Sequence, residues 1–330
     1  MPNLPRLNFK EAEKLLLDAG FKLIRTRGSH KIYIKDKKRV VLPFQYCGFT
    51  PLEIFTSRRK MLKPEDFFDL SQTQFKSLFD NTEYVWDALK KLKKYIRDNI
   101  KPNVSNLRKG EVFINKTLVL YDDKIIESGF DISISKKKLI IKKDGEILDG
   151  ASVIYAGAIL MDDEIYIGKG TIIEPGVLIK GPAIIGDNTE LRQGAYLRGD
   201  TLVGNGCVVG HTTELKSCAM LGESKAGHFA YIGDSILGKV NLGAGTKLAN
   251  LKIVESNVVI NIGDRKYETG LRKFGAILAD GTETGCNSVT TPGTIFGKDV
   301  LLYPNATARG YYPPKTIIKL KQTQKLEQRM

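Results

Sequence analysis

Residues 167–221 read IGKGTIIEPGVLIKGPAIIGDNTELRQGAYLRGDTLVGNGCVVGHTTELKSCAML. An aliphatic residue stands at every sixth position of this stretch, ten times in succession: Ile167, Ile173, Ile179, Ile185, Leu191, Leu197, Val203, Val209, Leu215 and Leu221. Neither a helix nor a flat strand has a period of six. A β-solenoid does, because each hexapeptide forms one face of a triangular coil and points its aliphatic side chain inward.

A small or slender residue follows most of these aliphatic residues four positions later, as at Thr171, Ala183 and Cys207. Such a residue fits the crowded interior near a corner. A second run keeps the same phase near the C-terminus, with Leu278, Thr284, Thr290, Phe296 and Leu302. The pattern predicts a mainly β fold, a left-handed parallel β-helix. A purely structural solenoid stays open as an alternative, because a fold alone does not give a function.

The sequence divides into three predicted segments. Residues 1–62 alternate as α-β-β-β-α, which predicts a small α+β domain closed by a helix over PLEIFTSRRKML. Residues 63–110 are predicted to form a helical linker whose main helix covers roughly 80–99, with its apolar stripe packed on a neighbouring domain. Residues 111–330 are predicted to hold the β-helix.

The net charge of +14 is concentrated in the first segment. Residues 1–62 hold 14 Lys and Arg against 5 Asp and Glu, about +9, and the remaining residues hold 37 against 32, about +5. A basic segment of this kind favours an anionic partner such as nucleic acid. A solvated basic surface is the alternative that charge alone leaves open.

The four cysteines, Cys47, Cys207, Cys218 and Cys286, lie far apart and form no CxxC pair. This spacing argues against a zinc site or a disulfide framework and favours a reducing cytoplasm. No apolar run reaches membrane-spanning length, and no signal-peptide pattern follows Met1, so no membrane association is expected.

The hexapeptide rhythm fails at 222–231 and again at about 249–275. Segments that interrupt a solenoid often carry its function. His228 lies in the first of them, and a neutral histidine can take a proton from an amine or a hydroxyl. In an 18-residue coil, Arg192 and Lys216 can lie on the same side groove. Two cations and a base suit an anionic substrate that must be deprotonated, although His228 could also be a hydrogen-bonded turn residue.

Several phrases resemble the acetyltransferase half of the bifunctional glucosamine-1-phosphate N-acetyltransferase/uridyltransferase family: LRQG (191–194), ELK (214–216), SKAGHFAYIGD (224–234), VNLGAGT (240–246) and Asn250. KLKQTQK (319–325) resembles the closing segment of that family. The resemblance covers roughly residues 150–325. It implies an acetyl-CoA-dependent N-acetyltransferase that acts on an amino-sugar phosphate as a homotrimer, with each site between neighbouring subunits.

The resemblance also implies roles for individual residues. His228 corresponds to the base that deprotonates the sugar amine, and Asn250 stands beside it in the catalytic set. Arg192 and Lys216 correspond to residues that bind the sugar phosphate, and Tyr231 and Asn241 to residues that position the sugar. Lys273 corresponds to a lysine near the substrate. Acetyl-CoA positions correspond to Ala244, Cys286 and Lys319. No metal site is implied.

The sequence departs from the family at several positions. Gln193 replaces a proline, Leu251 a tyrosine and Cys286 a serine, and the segment between Asn250 and Lys273 is longer. YETGLRKFGA is closer to a related group of solenoid sugar-phosphate transferases. These changes leave the acceptor sugar open, including an acyl transfer to a nucleotide-linked sugar. We find no GxGTRM-type nucleotide motif, so pyrophosphorylase activity is not expected.

GFKLIRTRGSHKIYIKDKKRVVLPF, in the basic first segment, resembles the HicA-type toxins, which are small proteins that cleave mRNA. The resemblance implies an αβββα fold like that of a double-stranded-RNA-binding domain. The phrase GSH places His30 where that family has its catalytic histidine, and Arg25, Arg27, Lys31 and Lys35 would face RNA phosphates. After Phe44 the sequence departs from the family. The segment is therefore expected to be an active nuclease, an RNA-binding domain or a remnant, with an antitoxin as a further possible partner. An RNA-targeting module carried on a solenoid scaffold is the second hypothesis for the whole chain.

Overall fold

A computed structural model describes residues 7–27, 30–36, 38–43, 62–135, 138–263 and 265–323. The chain divides into two compact units, Met1–Met61 and Leu62–Met330. The segment predicted as a linker therefore belongs to the second unit. No helix within these described ranges is both long enough and apolar enough to cross a lipid bilayer.

The described part of the first unit is a helix, α1 (Phe9–Asp18), followed by an antiparallel sheet of Lys22–Arg27, His30–Lys35 and Lys38–Pro43. Asn8 caps α1, because its side chain accepts from the Glu11 N–H while the Glu11 carboxylate accepts from the Asn8 N–H. The core contains Ala12, Leu16, Phe21, Tyr33 and Leu42. The predicted helix and three strands are confirmed. Of the predicted closing helix (residues 51–62), only Leu62 is among the described residues.

The described strands of the second unit form a triangular solenoid with three parallel sheets, one for each face. The first face comprises Ile159–Leu160, Leu178–Lys180, Tyr196–Arg198, Glu214–Lys216, Tyr231–Gly233, Lys247–Leu248, Val289–Thr290 and Thr307–Ala308. The second face comprises Ile165–Ile167, Ala183–Ile185, Thr201–Val203, Ala219–Met220, Ile236–Leu237, Ala276–Leu278, Thr294–Phe296 and Tyr311–Tyr312. The third face comprises Ser152–Ile154, Ile172–Ile173, Glu190–Leu191, Val208–His211, Lys225–His228, Asn241–Leu242, Glu283–Thr284, Leu301–Leu302 and Ile317–Ile318.

The six-residue period places one aliphatic residue of each hexapeptide in a continuous core. Ile173, Leu191 and Val209 are register partners in consecutive coils of 18 residues, and all three side chains are fully buried. Burying one such side chain stabilises the fold by about 1.5–3 kcal/mol. The β-solenoid predicted from the period is confirmed.

One position in the predicted series is wrong. Met220 and not Leu221 pairs with Val203, and Met220 joins the inner core while Leu221 packs on the outside of the second face. The corner between Leu215 and Met220 is one residue shorter than the earlier corners. The inward-facing position therefore comes one residue earlier in the sequence.

Residues 222–231 do not interrupt the solenoid, contrary to the prediction. They belong to a regular coil, which is 17 residues long because Val208 pairs with Lys225 and Val209 pairs with Ala226. The shortened corner explains the loss of the six-residue rhythm in the sequence. His228 consequently lies at the end of a strand and not in a protruding loop.

Residues 249–275 contain a true insertion. The chain leaves the solenoid after Asn250 and returns at Phe274, whose N–H donates to the Asn250 carbonyl at 2.9 Å. The insertion forms an antiparallel hairpin of Val259–Ile262 and Arg265–Glu268. Val258, Ile260 and Ile262 are buried against the second face.

The segment after Leu62 covers the second face. It comprises α2 (Pro64–Phe67), a 3₁₀ turn (Lys76–Phe79), α3 (Asp87–Asn99) and α4 (Ser105–Arg108). Trp86, Leu92 and Ile96 form one buried cluster with outward side chains of the second face. The predicted packing of the apolar stripe is therefore observed. The helix begins at Asp87 and not near 80, and the Asp87 carboxylate accepts from the Tyr84 N–H at 2.9 Å in the turn before it.

A small cap covers the beginning of the third face. Leu118–Tyr121 pairs antiparallel with Ser152–Ile154 and with Lys124–Ile126. A separate sheet of Phe130–Ser135, Lys138–Lys143 and Glu146–Ile147 lies beside it, and Ile141 shares a buried cluster with Val119 and Ile172. The first face and the later coils of the third face have no such cover among the described residues.

Candidate functional site

One corner of the solenoid, between the third and first faces, collects several predicted site residues. Gln193, His211, His228, Ala244 and Cys286 occupy equivalent positions in consecutive coils, as the backbone hydrogen bonds across that corner show. We call this set the corner column. His211, His228 and Cys286 are exposed, and Ala244 is half-buried. The corner column therefore presents two exposed imidazoles and an exposed thiol along one edge.

Phe229 follows His228 in a left-handed backbone conformation, with φ of 36°. A bulky aromatic residue rarely adopts such a conformation, and strained backbone is often found at functional sites. The Phe229 ring is about half exposed and lies against Gly245 in the next coil. Its ring centroid is 6.4 Å from that of His228. The strained corner therefore places an apolar ring next to the exposed imidazole.

Next to the corner column, four consecutive coils of the third face have glycine at the same position, so no side chain projects there. Gly210, Gly227, Gly243 and Gly285 are aligned there, which follows from the register of the residues that precede them. We call this set the glycine strip. Arg192 occupies the equivalent position before it, and Tyr303 and Lys319 follow it. Gly210 is buried and the other three glycines are half-buried. A Cβ atom at Gly210, Gly243 or Gly285 would meet the next coil, so these glycines allow the coils to pack closely, and only Gly227 has open space at its Cβ position.

A second cluster lies at the opposite edge of the first face. The Lys216 ammonium is 3.5 Å from the Asp234 carboxylate, which also accepts a hydrogen bond from the Asn250 amide. The Tyr231 hydroxyl donates to the Asn250 side-chain oxygen at 3.3 Å. Gly233 leaves room for this contact, since a Cβ atom there would lie 2.6 Å from the Tyr231 hydroxyl. Burial, with the Glu214 charge second, raises the pKa of Tyr231 and keeps its hydroxyl a donor.

Lys273 lies next to this cluster, at the base of the insertion. It forms an antiparallel bridge with Leu251, and its side chain is exposed. Ile253 is fully exposed and Val254 largely exposed in the same loop. The insertion therefore holds a cation near Asn250 and presents aliphatic side chains to solvent.

The predicted site residues thus fall into two groups within one chain. His228 and Asp234 lie on either side of the strand Tyr231–Gly233, which is itself roughly 10 Å long for three residues at about 3.3 Å each. Arg192 lies on the third face, and its guanidinium is held by Glu190 at 2.8 Å. Arg192 and Lys216 therefore do not meet within one chain.

The remaining predicted residues line the third face. Asn241 is exposed between its register partners Lys225 and Glu283. The Lys319 ammonium lies 5.2 Å from the centre of the Tyr303 ring. Both positions face the side of the molecule that carries the glycine strip.

The first unit also carries residues that the sequence singled out. His30 begins the second strand, and its side chain lies outside the described residues. Arg25 is exposed. Lys31 is bound to the Glu13 carboxylate at 2.7 Å, and Lys35 donates to the Ala19 carbonyl at 2.7 Å, so these two lysines have internal partners. Hydrogen bonds from Lys31 and Tyr33 lower the pKa of Glu13 and keep it ionised as their acceptor.

Sequence reasoning missed three features of the site. His211 lies one coil before His228 as its register partner, and a count of 17 residues would have found it. Asp234 joins Lys216 to Asn250. The glycine strip needs the coil register to be visible, because its members are separated by 17, 16 and 42 positions.

Comparison with known proteins matches both units. A family model for the GMPPB C-terminal domain matches residues 179–264, and a model for the HicA toxin of bacterial toxin-antitoxin systems matches residues 9–46. The bifunctional sugar-1-phosphate nucleotidylyltransferase/acetyltransferase of Sulfurisphaera tokodaii is 36% identical over 30% of this chain and 25% of its own length. The bifunctional protein GlmU of Methanococcus aeolicus is 38% identical over 28% of this chain and 22% of its own length.

The matched stretch spans about a quarter of the length of these relatives. Among solved structures, the UDP-N-acetylglucosamine acyltransferase of Francisella novicida aligns with 47% of this chain and 56% of its own, at 17% identity. The TM-score of 0.31 is too low to establish a shared fold. From the matched segments, the solenoid resembles the C-terminal hexapeptide-repeat domains of GlmU and GMPPB, and the first unit resembles the HicA toxins.

Proposed function

We propose that the solenoid unit transfers an acetyl group from acetyl-CoA to the amine of an amino-sugar phosphate. The observation that carries the proposal is the placement of His228 on the corner column, between the glycine strip and the Lys216–Asp234–Asn250 cluster. The strip offers a surface for an extended donor. The cluster offers polar groups for an anionic acceptor. The family model for the GMPPB C-terminal domain matches residues 179–264, which include His228 and this cluster. A relative whose name includes acetyltransferase is 36% identical to this chain over 99 residues.

In the proposed reaction, His228 takes a proton from the acceptor amine as the nitrogen attacks the thioester carbonyl. The carbon–sulfur bond then breaks, and the thiolate leaves and is protonated to the CoA thiol. Backbone N–H groups near Ala244 would stabilise the charge that develops on the carbonyl oxygen. Lys216 would bind the sugar phosphate, and Tyr231, Asn250 and Asn241 would orient the sugar.

The donor would lie along the glycine strip, with Cys286 near its acyl end and Lys319 near its phosphates. A positive group such as Lys319 suits the phosphates of CoA. Arg192, at the other end of the strip, and Lys273, beside Asn250, would add positive charge around the acceptor. These assignments follow the family resemblance.

We further propose that the active form is a homotrimer. The second face is covered by the chain's own segment, so a neighbouring copy has only the first and third faces to contact. A neighbour seated there could bring Arg192 of one chain near Lys216 of another. Light scattering is expected to give three times the chain mass at micromolar concentration, and a stable monomer would contradict the trimer.

The direct test of the activity is thiol release. The full chain is incubated with acetyl-CoA, a thiol reagent and a panel of amino-sugar phosphates, with the matching N-acetylated sugars as controls. We expect release only with free amines. Absence of release across the panel would overturn the proposed function.

RNA binding by the first unit is a second candidate function. The HicA model matches residues 9–46, and residues 1–62 carry about +9 of the net charge. Binding is expected to weaken steeply with added salt, because phosphate contacts release counterions. Cleavage that disappears in His30→Ala would identify a nuclease. Equal RNA retention by a chain without residues 1–62 would exclude this unit as the binding site.

A further inference from the structure

A row of cations extends from the acceptor cluster along the exposed first face. Lys180, Arg198 and Lys216 occupy the same outward position in consecutive coils. They point outward because the preceding residues, Ile179, Leu197 and Leu215, are fully buried, and side chains alternate along a strand. Consecutive coils lie about 4.8 Å apart. We call these three residues the cation row.

An aromatic ring lies in the middle of the row. The Lys180 ammonium is 5.5 Å from the centre of the Tyr196 ring, and the Arg198 guanidinium is 6.0 Å from it. Cations at these distances are attracted to the ring face. Bases of nucleotides stack on aromatic rings and on guanidinium planes. Tyr196 and Arg198 therefore form a surface on which a base can stack.

The carboxylates near the row neutralise it only in part. Glu214 accepts from one nitrogen of Arg198 at 2.6 Å, and Asp234 lies 3.5 Å from Lys216. No carboxylate of the described residues forms an ion pair with Lys180. Arginine has five N–H donors, so the contact with Glu214 orients the guanidinium and leaves further donors for a phosphate.

We propose that the acceptor is an amino sugar linked to a nucleoside diphosphate, which lies along the first face with its phosphates on Lys216 and Arg198 and its base against Tyr196. The proposal rests on the proposed function, since it places the sugar amine at the Tyr231–Asn250 end of the row. A sugar monophosphate would engage Lys216 and leave Arg198, Tyr196 and Lys180 without a ligand.

The binding test needs no turnover. Isothermal titration of the full chain compares uridine diphosphate, uridine monophosphate and inorganic phosphate. We expect the diphosphate to bind at least about tenfold more tightly than inorganic phosphate, from one added charge-assisted contact. Arg198→Met should weaken the binding of uridine diphosphate about tenfold. Arg198→Lys should recover only part of this affinity, because lysine lacks the planar guanidinium of arginine.

The matched control is Lys239→Met, which removes an exposed lysine paired with Glu223 at a different corner. It is expected to leave diphosphate affinity unchanged. Equal affinity for diphosphate and inorganic phosphate, or equal behaviour of Arg198→Met and Lys239→Met, would overturn the proposal. Thermal unfolding of each variant excludes a folding defect.

A kinetic comparison separates this proposal from the proposed function. With acetyl-CoA, a uridine-diphosphate-linked amino sugar should exceed its 1-phosphate counterpart in kcat/KM by about tenfold, and Arg198→Met should abolish that advantage. Equal kcat/KM for both acceptors would overturn the diphosphate assignment and leave acetyl transfer standing. Absence of thiol release with both would overturn acetyl transfer itself, and with it the acceptor assignment.

Discussion

His211 and His228 are register partners in neighbouring parallel strands, and the N–H of Phe229 donates to the His211 carbonyl at 2.7 Å. Their environments differ. Nδ1 of His211 lies 3.0 Å from the Gln193 carbonyl, within hydrogen-bond distance of the previous coil. His228 lies one coil closer to Ala244 and stands beside Phe229. The solenoid therefore presents imidazoles in two neighbouring coils, of which we assign only the second as a base.

His228→Ala is expected to reduce acetyl transfer by about 10²–10⁴-fold, the usual contribution of a positioned general base. The chain should still fold, because the side chain is exposed and outside the core. Thiol release with saturating acetyl-CoA measures the effect. His211→Ala is the matched control and should stay within severalfold of the parent. Equal losses in both variants would place the base elsewhere on the corner.

Lys216→Ala should raise the KM for the acceptor by about tenfold or more with a smaller change in kcat, because one charge-assisted contact with phosphate is lost. Lys239→Ala removes a lysine that is likewise paired with a carboxylate but lies at another corner. It should leave both constants unchanged. Initial rates over a range of acceptor concentrations distinguish the two variants, and an unchanged KM in Lys216→Ala would contradict the phosphate assignment.

Thr290→Val should raise the free energy of unfolding by about 1 kcal/mol, because the fully buried Thr290 hydroxyl has no hydrogen-bond partner among the described residues. Thr284→Val should lower it by about 1–3 kcal/mol, since the Thr284 hydroxyl is 2.8 Å from that of Thr246 and accepts from the Gly243 N–H. Trp86, the single tryptophan, is buried in this unit and reports urea unfolding by fluorescence. Stabilisation by Thr284→Val would contradict this account.

Gly210→Ala should destabilise the solenoid by about 3 kcal/mol or more, because its Cβ would lie 1.7 Å from the Gly227 carbonyl oxygen. Gly227→Ala should change stability by less than about 1 kcal/mol, since no heavy atom lies within 4 Å of its Cβ position. Both glycines belong to the same strip. The comparison therefore separates the effect of a steric clash from any effect of replacing glycine that does not involve a clash. Trp86 fluorescence during unfolding again provides the measurement.

Maleimide should label Cys286 selectively in the native chain. Cys286 is exposed, whereas burial raises the pKa of the Cys207 and Cys218 thiols to about 12 and removes their reactive thiolate at neutral pH. Cys47 lies outside the described residues and is replaced by serine for this experiment. Mass spectrometry should show one label when native and three when denatured. Acetyl-CoA should slow native labelling, and an unchanged rate would argue against Cys286 near the donor.

The six-residue period was sufficient to predict the solenoid, because each coil needs an inward aliphatic residue at a fixed interval. The same reasoning placed Leu278, Thr284 and Phe296 in the core, where they are found. It failed at Leu221 and misread residues 222–231 as an interruption. A corner can lose one residue while both flanking strands stay paired, and a fixed period in the sequence cannot represent such a shift.

The sequence by itself determined the inward residues, the basic first unit and the motifs that single out His228, Lys216 and Asn250. These are properties of local pattern and composition. Only the tertiary structure decided which residues share a corner. Coils of 16, 17 and 18 residues, with the insertion after Asn250, set the register that stacks His211 under His228 and aligns four glycines. That register depends on backbone hydrogen bonds between coils, which join residues far apart in the chain.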